Sequence, residues 1–224
     1  MNEKTANELL KKVAEDYKKL SDEFDTTRKY DWKEFEFFLP YIKNNDFLVD
    51  LGCGNGRFFQ FIHKHKKIKY LGIDNNPPFI KKAQKTYKNA TFIEGDMLNI
   101  PVEDKKADIV ISIAALHHIP SKKLRAATIE EMHRILRKNS TLMLTVWNLF
   151  QPKYKKYIWK SRLKHILSLG KYDSRDTFIP WGKSGIKRYY YAFKEKELKN
   201  LLEKKFKIIK EIKGNNLVFI CRKK

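Results

Sequence analysis

A glycine-rich turn after a buried strand constrains the fold of this chain more than any other feature of its sequence. Residues 47–51 (FLVDL) are an apolar run that includes an acid, and the next five residues contain Gly52, Gly54 and Gly56. Glycines in this position let the backbone turn tightly and approach a ligand closely. The following residues, 57–62, have helical polarity, so the loop leads to a helix N-terminus that attracts polar groups. The sequence therefore predicts a ligand-binding strand–loop–helix unit.

The glycine spacing separates this loop from two other nucleotide-binding motifs. It reads G-x-G-x-G, whereas dinucleotide-binding loops read G-x-G-x-x-G and phosphate-binding loops end in G-K-[ST]. About one βα unit later, a second apolar strand ends in Asp74, an acid placed to accept hydrogen bonds from both hydroxyls of a ribose. A third strand, 90–94, is followed by Asp96. A lone G-x-G-x-G can be an ordinary tight turn, but two strand-end acids in step with it favour an adenosine site.

These residues resemble the cofactor-binding motifs of the class I S-adenosylmethionine-dependent methyltransferases over roughly residues 45–147. The resemblance implies an α/β fold, a Rossmann-like seven-stranded and mostly parallel sheet with an antiparallel edge and helices on both faces. It implies S-adenosyl-L-methionine as the cofactor, with Asp74 at the ribose and with Asp96 and Met97 beside the adenine. The predicted cofactor-binding residues are Asp50, Gly52, Cys53, Gly54, Asn55, Gly56, Asp74, Asn75, Asp96, Met97 and Ile113.

The length of 224 residues suits one α/β domain with additional elements. We expect a single methyltransferase domain over 1–224, with an N-terminal helical lid (1–45), a cofactor-binding core (46–150), a basic insert (151–187) and C-terminal closing elements (188–224). No apolar run approaches the length of a membrane span, and the N-terminus is charged, so we expect a soluble, cytoplasmic protein. With only two cysteines in the chain, we expect no disulfide framework.

The formal net charge is +22, and it is concentrated near the C-terminus. Residues 151–224 contain 22 lysines and arginines against 6 acidic residues, a net charge of +16. A field of this sign attracts polyanions such as RNA. A lysine-rich composition that only forms solvated faces remains the alternative.

Hydrophobic periodicity predicts the remaining elements. Helices are expected over 3–24, over 32–42, from Pro77, and from a Ser121 cap to Arg137. Further strands are expected over 107–112 and 141–147. At the C-terminus we expect a helix at about 194–204 and strands 206–212 and 217–221, joined by a turn at 214–216.

The fourth strand runs into an I-A-A-L-H-H-I segment at the carboxyl end of the sheet, where open α/β folds bind ligands. This segment is the expected reaction mouth. The adjacent His117 and His118 are a weak metal signal because no cysteine or carboxylate stands at ligand spacing, so we expect no metal.

This segment and the Val146-Trp147 pair resemble a narrower group, the tRNA wobble-uridine (5-carboxymethyluridine) methyltransferases, including the methyltransferase domain of the human AlkB-family homologue. The F-x-x-T-R of residues 24–28, the P-W at 180–181 and the R-Y-Y-Y-A-F of residues 188–193 also match that group. The resemblance implies a transferase that esterifies the carboxylate of wobble 5-carboxymethyluridine in tRNA. The predicted catalytic residues are Arg28, His117, Trp147, Arg188 and Tyr189.

The basic insert begins with a helix that interleaves lysines with aromatic residues, which suits phosphate contact together with base stacking. A polar loop that contains Gly170, Asp173, Ser174, Gly182 and Gly185 is expected after this helix. The predicted RNA-binding residues are Lys153, Lys155, Lys156, Lys160 and Trp181. An amphipathic helix that merely covers the core is the other interpretation. The expected partners are tRNA and, as the resemblance implies, a small zinc-binding activator protein that adds a strand to the sheet, with no membrane partner.

Two other functions stay open at the level of sequence. One is a small-molecule carboxyl, O- or N-methyltransferase, against which the basic aromatic insert argues. The other is a catalytically silent RNA-binding adaptor, against which the intact glycine loop and both strand-end acids argue. The missing Pro-Gly-Gly turn, replaced by Asn139-Ser140, departs from the pattern of the class.

Overall fold

The chain folds around one seven-stranded sheet. The computed structural model describes residues 1–21, 23, 32–182 and 184–224. The strands of the sheet are β1 (Phe47–Leu51), β2 (Lys69–Asp74), β3 (Thr91–Glu94), β4 (Ala107–Ile113), β5 (Leu136–Trp147), β8 (Phe206–Lys213) and β9 (Asn216–Lys223). They lie side by side in the order β3-β2-β1-β4-β5-β9-β8, in which β9 runs antiparallel to both of its neighbours, β5 and β8, and the other neighbouring pairs are parallel. The predicted fold class is confirmed.

Helices cover both faces of this sheet. They are α1 (Glu3–Lys19), α2 (Arg57–Ile62), α3 (Pro77–Thr86), α4 (Lys122–Ile135), α5 (Lys155–Leu167) and α6 (Glu195–Glu203). Side chains alternate along β1, so Val49 and Leu51 lie in one apolar cluster with Leu9 of α1, whereas Leu48 lies in a second cluster with Phe58 of α2. A central parallel strand buried on both faces is expected when helices flank a sheet on two sides. Among the described residues, no helix is long and apolar enough to cross a membrane.

The helix expected over 32–42 is wrong. The segment forms two short 3₁₀ helices, Lys33–Phe37 and Leu39–Tyr41. Pro40 lacks an N–H, and within an α-helix its ring would clash with the preceding turn. The chain therefore closes three-residue turns instead, with the Phe38 N–H donating to the Phe35 carbonyl at 3.1 Å and the Tyr41 N–H to the Phe38 carbonyl at 3.0 Å.

Two predicted helix ends also differ from the structure. The first helix ends at Lys19, and residue 24 of the predicted span lies outside the described residues. The helix capped by Ser121 ends at Ile135 rather than Arg137, because Leu136 pairs with Ala107 of β4. The predicted cap itself is confirmed, since Ser121 Oγ accepts the N–H of Leu124 at 3.2 Å.

A second, two-stranded sheet was missed from the sequence. It is formed by β6 (Asp176–Pro180), in a part of the insert whose polar residues predicted a loop, and by β7 (Lys187–Tyr191), which begins at the last residue of the insert. Asp176 and Thr177 are buried polar residues: the Asp176 carboxylate accepts the hydroxyl of Tyr189 at 2.8 Å, and the Thr177 hydroxyl lies 3.2 Å from Ser161 Oγ on α5. Tertiary partners satisfy these polar groups, which is why polarity misled the prediction.

Gly56 is required by packing, and its substitution tests the fold. Gly56 has φ of 82°, and a Cβ there would lie 2.9 Å from the Tyr87 ring. Gly56→Ala should lower the free energy of unfolding by about 2–4 kcal/mol, since overpacking adds to left-handed strain. Gly185 has φ of 74°, and a Cβ added there would meet no atom within 4 Å, so Gly185→Ala is the matched control for strain alone. Urea unfolding measures both, and equal losses would contradict the packing argument.

Candidate active site

One cleft opens at the carboxyl ends of β1, β2 and β4, where the strand-end acids come together. It has about 1180 Å³ of empty volume, which includes space at its open mouth. All the predicted cofactor-binding residues except Gly56 line it, and so do two predicted catalytic residues, His117 and Trp147. Helix α1 contributes Leu10, Val13 and Tyr17 to the wall. The position agrees with the general rule for ligand sites in open α/β sheets.

The glycine loop is held against the neighbouring strand by backbone hydrogen bonds. The N–H of Gly52 donates to the Ile73 carbonyl at 2.8 Å, and the N–H of Gly54 donates to Asp74 Oδ2 at 2.9 Å. Gly52 has φ of 75°, and a Cβ there would lie 2.5 Å from the Cβ of Ala115. Gly52 is therefore fixed by contact with the loop after β4, rather than only by the need to leave space for a ligand.

Two acids in the cleft accept hydrogen bonds that only partly offset the cost of burying their charged carboxylates. Asp74 accepts the N–H groups of Gly54 and Asn76, each at 2.9 Å, yet burial raises its pKa to about 6. Asp50 accepts the Tyr70 hydroxyl at 2.6 Å, yet burial, together with the nearby Asp74, raises its pKa to about 7. Burial penalises the charged carboxylate, and a cationic ligand in the cleft would stabilise it.

The other predicted cofactor-binding residues line the same cleft. Asp96 follows β3, is exposed, and its Oδ1 accepts the N–H of Leu98 at 2.9 Å. Met97 and Ile113 supply apolar wall, and Asn55 and Asn75 lie beside the glycine loop and Asp74. Burial raises the pKa of Cys53 well above its usual value, so its thiol stays protonated. Acids for the ribose and the amino groups, with apolar wall for the adenine, fit S-adenosylmethionine.

Ala114 is a site residue that the sequence did not reveal. It has φ of 54° although it is not glycine, and it lines the cleft directly after β4. Its N–H donates to both the carbonyl and Oγ1 of Thr145, each at 3.0 Å. Strained backbone of this kind persists where the surroundings fix it, and it is common at functional sites.

His117 forms the far end of the cleft as a neutral donor. Its Nδ1 accepts the backbone N–H of Trp147 at 3.1 Å, so the ring proton is on Nε2. Within the described part of the chain, this buried Nε2 has no hydrogen-bond partner. Burial and the nearby His118 and Arg188 keep the pKa of His117 well below its usual value. The ring can donate one hydrogen bond, and it is unsuited to act as a base.

Arg188 lies behind the cleft wall in an aromatic cage. Its side chain is 3% exposed, and its Cζ is 4.1 Å from the ring centroid of Trp181, 5.0 Å from Tyr190 and 5.6 Å from Trp147. Nη1 donates to the hydroxyl of Tyr17 at 3.1 Å. Among the described residues, no carboxylate forms an ion pair with this guanidinium, and its buried Nε has no hydrogen-bond partner. A buried cation of this kind favours an anionic ligand.

A hydrogen-bond relay connects this cage to the reaction mouth, and the sequence did not predict it. His118 Nδ1 donates to the Tyr189 carbonyl at 2.8 Å. In the neutral ring Nε2 is then the acceptor, and it accepts the Tyr17 hydroxyl at 2.8 Å. Tyr17 therefore links α1, the loop after β4 and Arg188 of β7. The only available signal was its helical spacing, which marked Tyr17 as a packing residue.

The other predicted residues lie away from the cleft or outside the described chain. Arg28 lies outside the described residues. Tyr189 is fully buried on the opposite face of β7 and donates to Asp176, whereas Tyr190 stacks on Trp147 with centroids 4.9 Å apart. Side chains alternate along a strand, so Arg188 and Tyr190 share the face toward the cleft.

The predicted RNA-binding residues occupy two settings. The four lysines Lys153, Lys155, Lys156 and Lys160 are exposed on and just before α5. Trp181 instead covers Arg188 and donates from Nε1 to Glu23 Oε2 at 2.9 Å. No group of three or more potential metal ligands occurs within the described ranges.

Comparisons with known proteins agree with this geometry. A family model described as a methyltransferase domain matches residues 48–139. A solved S-adenosylmethionine-dependent methyltransferase from Methanosarcina mazei is 22% identical, with a TM-score of 0.71 over 84% of this chain and 96% of that chain. Residues 48–139 therefore match a methyltransferase domain, the fold and the glycine loop agree with those of class I S-adenosylmethionine-dependent methyltransferases, and together they indicate S-adenosylmethionine as the cofactor.

Two further comparisons are more specific. Over 145 residues, the chain is 30% identical to the tRNA (carboxymethyluridine(34)-5-O)-methyltransferase of Arabidopsis thaliana. The aligned residues cover 64% of this chain and 35% of the relative. The chain spans about a third of the length of the first curated relatives. A methyltransferase from Haloferax volcanii, solved in complex with the activator Trm112, is 15% identical with a TM-score of 0.68, covering 94% of this chain and 97% of that chain.

The raised pKa values predict how cofactor affinity depends on pH. S-adenosylmethionine is cationic at its sulfonium and ammonium groups, so it should bind the cleft with Asp50 ionised. With a pKa of about 7 for Asp50 in the free protein, affinity should be about tenfold weaker at pH 6 than at pH 8. Isothermal titration calorimetry measures this. Asp50→Asn should leave only the smaller change due to Asp74, and a wild-type affinity constant across this range would contradict the electrostatic role of Asp50.

Proposed function

We propose that this protein methylates the carboxylate of 5-carboxymethyluridine at the wobble position of tRNA. The observation that carries the proposal is Arg188, a buried guanidinium beside the reaction mouth with no acidic partner in the described chain. Its cage of aromatic rings would admit a planar base and its carboxylate. The name of the Arabidopsis relative supplies the substrate class.

The reaction needs no base, because a carboxylate is already ionised at neutral pH. S-adenosylmethionine supplies an electrophilic methyl group. Transfer of that methyl group to a carboxylate oxygen would replace one S–C bond by one O–C bond and leave the electron pair on sulfur, so no proton would move. The protein therefore contributes alignment and desolvation. A neutral His117 is consistent with this chemistry.

The site residues divide into two groups by their contacts. Asp50, Asp74 and Asp96 would hold the polar groups of the cofactor, and Met97 and Ile113 would pack against its adenine. At the other end, His117 Nε2 would donate to the carboxylate oxygen that does not attack. Arg188 would hold the same carboxylate in place, either directly or through the Tyr17 hydroxyl that it contacts. Both donors favour the anionic substrate without removing a proton.

The exposed lysines of α5 would contact tRNA phosphates. Lys153, Lys155, Lys156 and Lys160 follow Trp147 closely along the chain, and α5 packs on β6 next to the cage around Arg188. Phosphate contacts supply most of the affinity in such complexes and carry little sequence information. Trp181, in contact with Arg188, would act at the mouth of the cage rather than on a distant stretch of RNA.

Methyl transfer to RNA can be tested without knowledge of the tRNA species. The chain is incubated with labelled S-adenosylmethionine and either total RNA lacking the wobble methyl ester or a small-metabolite extract. Nucleoside mass spectrometry should then find the label in the methyl ester of 5-carboxymethyluridine. Label confined to the metabolite fraction would indicate a small-molecule methyltransferase. Cofactor binding without label in either fraction would indicate an RNA-binding adaptor.

Arg188→Lys tests the role of the guanidinium. Lysine keeps the charge but loses the planar fork, so kcat should fall by about one to two orders of magnitude. Cofactor affinity should be unchanged, because Arg188 does not line the cofactor end of the cleft. Arg162→Lys, on the exposed surface of α5, is the matched control. A raised KM that salt modulates, with kcat retained, would assign Arg188 to tRNA phosphates instead.

We also propose that a small zinc-binding activator adds a strand to the free edge at β3. The Haloferax volcanii neighbour was solved with the activator Trm112. The other edge, β8, is protected by exposed Lys207 and Lys210 and by an irregularity in its pairing between Ile208 and Lys210, which are features that disfavour strand addition. Co-expression with such an activator should give a 1:1 complex by light scattering. A monodisperse chain that is fully active alone would count against this partner.

A further inference from the structure

Helix α5 presents an apolar ridge to solvent. The ridge consists of Trp159, Leu163, Ile166, Leu167 and Leu169, which are 71%, 56%, 69%, 74% and 97% exposed. Spacings of four and three residues place the first four on one side of the helix, and Leu169 follows the helix end. The opposite side carries Ile158 and Ser161, which are buried. The ridge thus contributes little to the packing of α5 on the protein.

Leu169 also carries backbone strain. It has φ of 49°, and it closes the helix because its N–H donates to the Ile166 carbonyl and the next N–H, of Gly170, donates to the His165 carbonyl, both at 3.1 Å. Glycine or asparagine usually occupies this left-handed position. A leucine in this conformation is strained, and its almost fully exposed side chain makes little packing contact that could offset the strain. Strain of this kind points to a function for the exposed group.

Cations border the ridge on both sides. By helical periodicity, Lys155 and Arg162 lie along one edge, Lys160 along the other, and Lys156 at the N-terminal end. Residues 151–171 contain seven lysines and arginines and no acidic residue. A shallow recess on the same face, lined in part by Lys160, Leu163, Lys164 and Leu167, places ammonium groups next to aliphatic side chains.

We propose that this ridge binds the surface of an anionic phospholipid bilayer. Trp159 and the aliphatic side chains would enter the boundary between headgroups and acyl chains, and the bordering lysines and arginine would contact the phosphates. A stripe of tryptophan and leucine with basic residues beside it is the surface by which interfacial helices bind membranes, and the opposite side of α5 is buried against the protein. Clusters of basic residues next to such a stripe add electrostatic attraction to anionic lipids.

Other occupants fit the ridge less well. RNA offers phosphates and bases but no aliphatic surface, so Leu163, Ile166 and Leu167 would stay unburied against it. A second copy of the chain would bring seven cations of one α5 segment against seven of another with no acidic residue to pair them. A protein groove would leave a lysine-rich border in a setting where lysine is usually depleted.

The proposal does not rest on tRNA methylation, and the test separates the two. Vesicles of phosphatidylcholine with about 30% phosphatidylserine, and vesicles of phosphatidylcholine alone, are sedimented with the full chain at physiological salt. The chain should bind the anionic vesicles. The ridge variant Ile166→Ser/Leu167→Ser should bind them at least about tenfold more weakly, because apolar area drives the insertion. Its affinity for tRNA, measured by filter binding, should stay within about twofold of the wild type, since phosphate contacts dominate that affinity.

Matched controls distinguish a specific surface from general attraction by a +22 protein. Lys156→Gln/Lys160→Gln should weaken vesicle binding by about tenfold. Lys207→Gln/Lys210→Gln removes the same charge from β8, and Ile209→Ser removes an apolar side chain there that is 45% exposed. Both control variants should bind the anionic vesicles as strongly as the wild type. Wild-type vesicle binding by the ridge variant, equal losses in the β8 controls, or no binding to anionic vesicles would overturn the proposal. Loss of tRNA affinity in the ridge variant with vesicle binding retained would assign the ridge to RNA.

Discussion

Two carboxylates at the carboxyl end of the sheet, Asp50 buried and Asp74 half-buried, are the constraint on which the cofactor site depends. Asp74 holds the glycine loop through the Gly54 N–H, and Asp50 is fixed by the Tyr70 hydroxyl from the neighbouring strand. Both acids are held where burial raises their pKa values, to about 6 and about 7. Charge held in this way is costly until a cation compensates it. The architecture that positions the loop thus also selects a positively charged cofactor.

The acceptor end of the cleft has the opposite electrostatic character. A neutral His117 lines it and the caged Arg188 lies behind its wall, so the anionic and cationic groups of the protein are found at different ends of the cleft. An ionised carboxylate needs no base, and the low pKa of His117 agrees with that requirement. The Tyr17 hydroxyl, which contacts both Arg188 and His118, ties the N-terminal helix to this end.

The β6–β7 hairpin connects the site to the surface of the insert. One face of β7 carries Arg188 and Tyr190 toward the cleft, and the other carries Tyr189 into the core, where Asp176 accepts its hydroxyl. The same hairpin anchors α5 through Thr177. An element whose first strand was read from the sequence as a polar loop therefore positions both the aromatic cage around Arg188 and the helix whose outer face carries lysines and the apolar ridge.

Local patterns in the sequence were enough to place the strands, the glycine loop and the strand-end acids, because strand periodicity and glycine spacing depend only on near neighbours. The arrangement of the strands in one sheet and the cofactor followed from the resemblance to class I methyltransferases. Pro40 and Leu136 changed two predicted helices, and Pro40 was a local signal that was overlooked. The role of Tyr17 depended on the folded chain, since its contacts with residues 101 and 171 positions away form the relay. Sequence thus determined the fold and the cofactor end, and the tertiary structure decided the acceptor end, because long-range packing alone determines which buried polar groups meet.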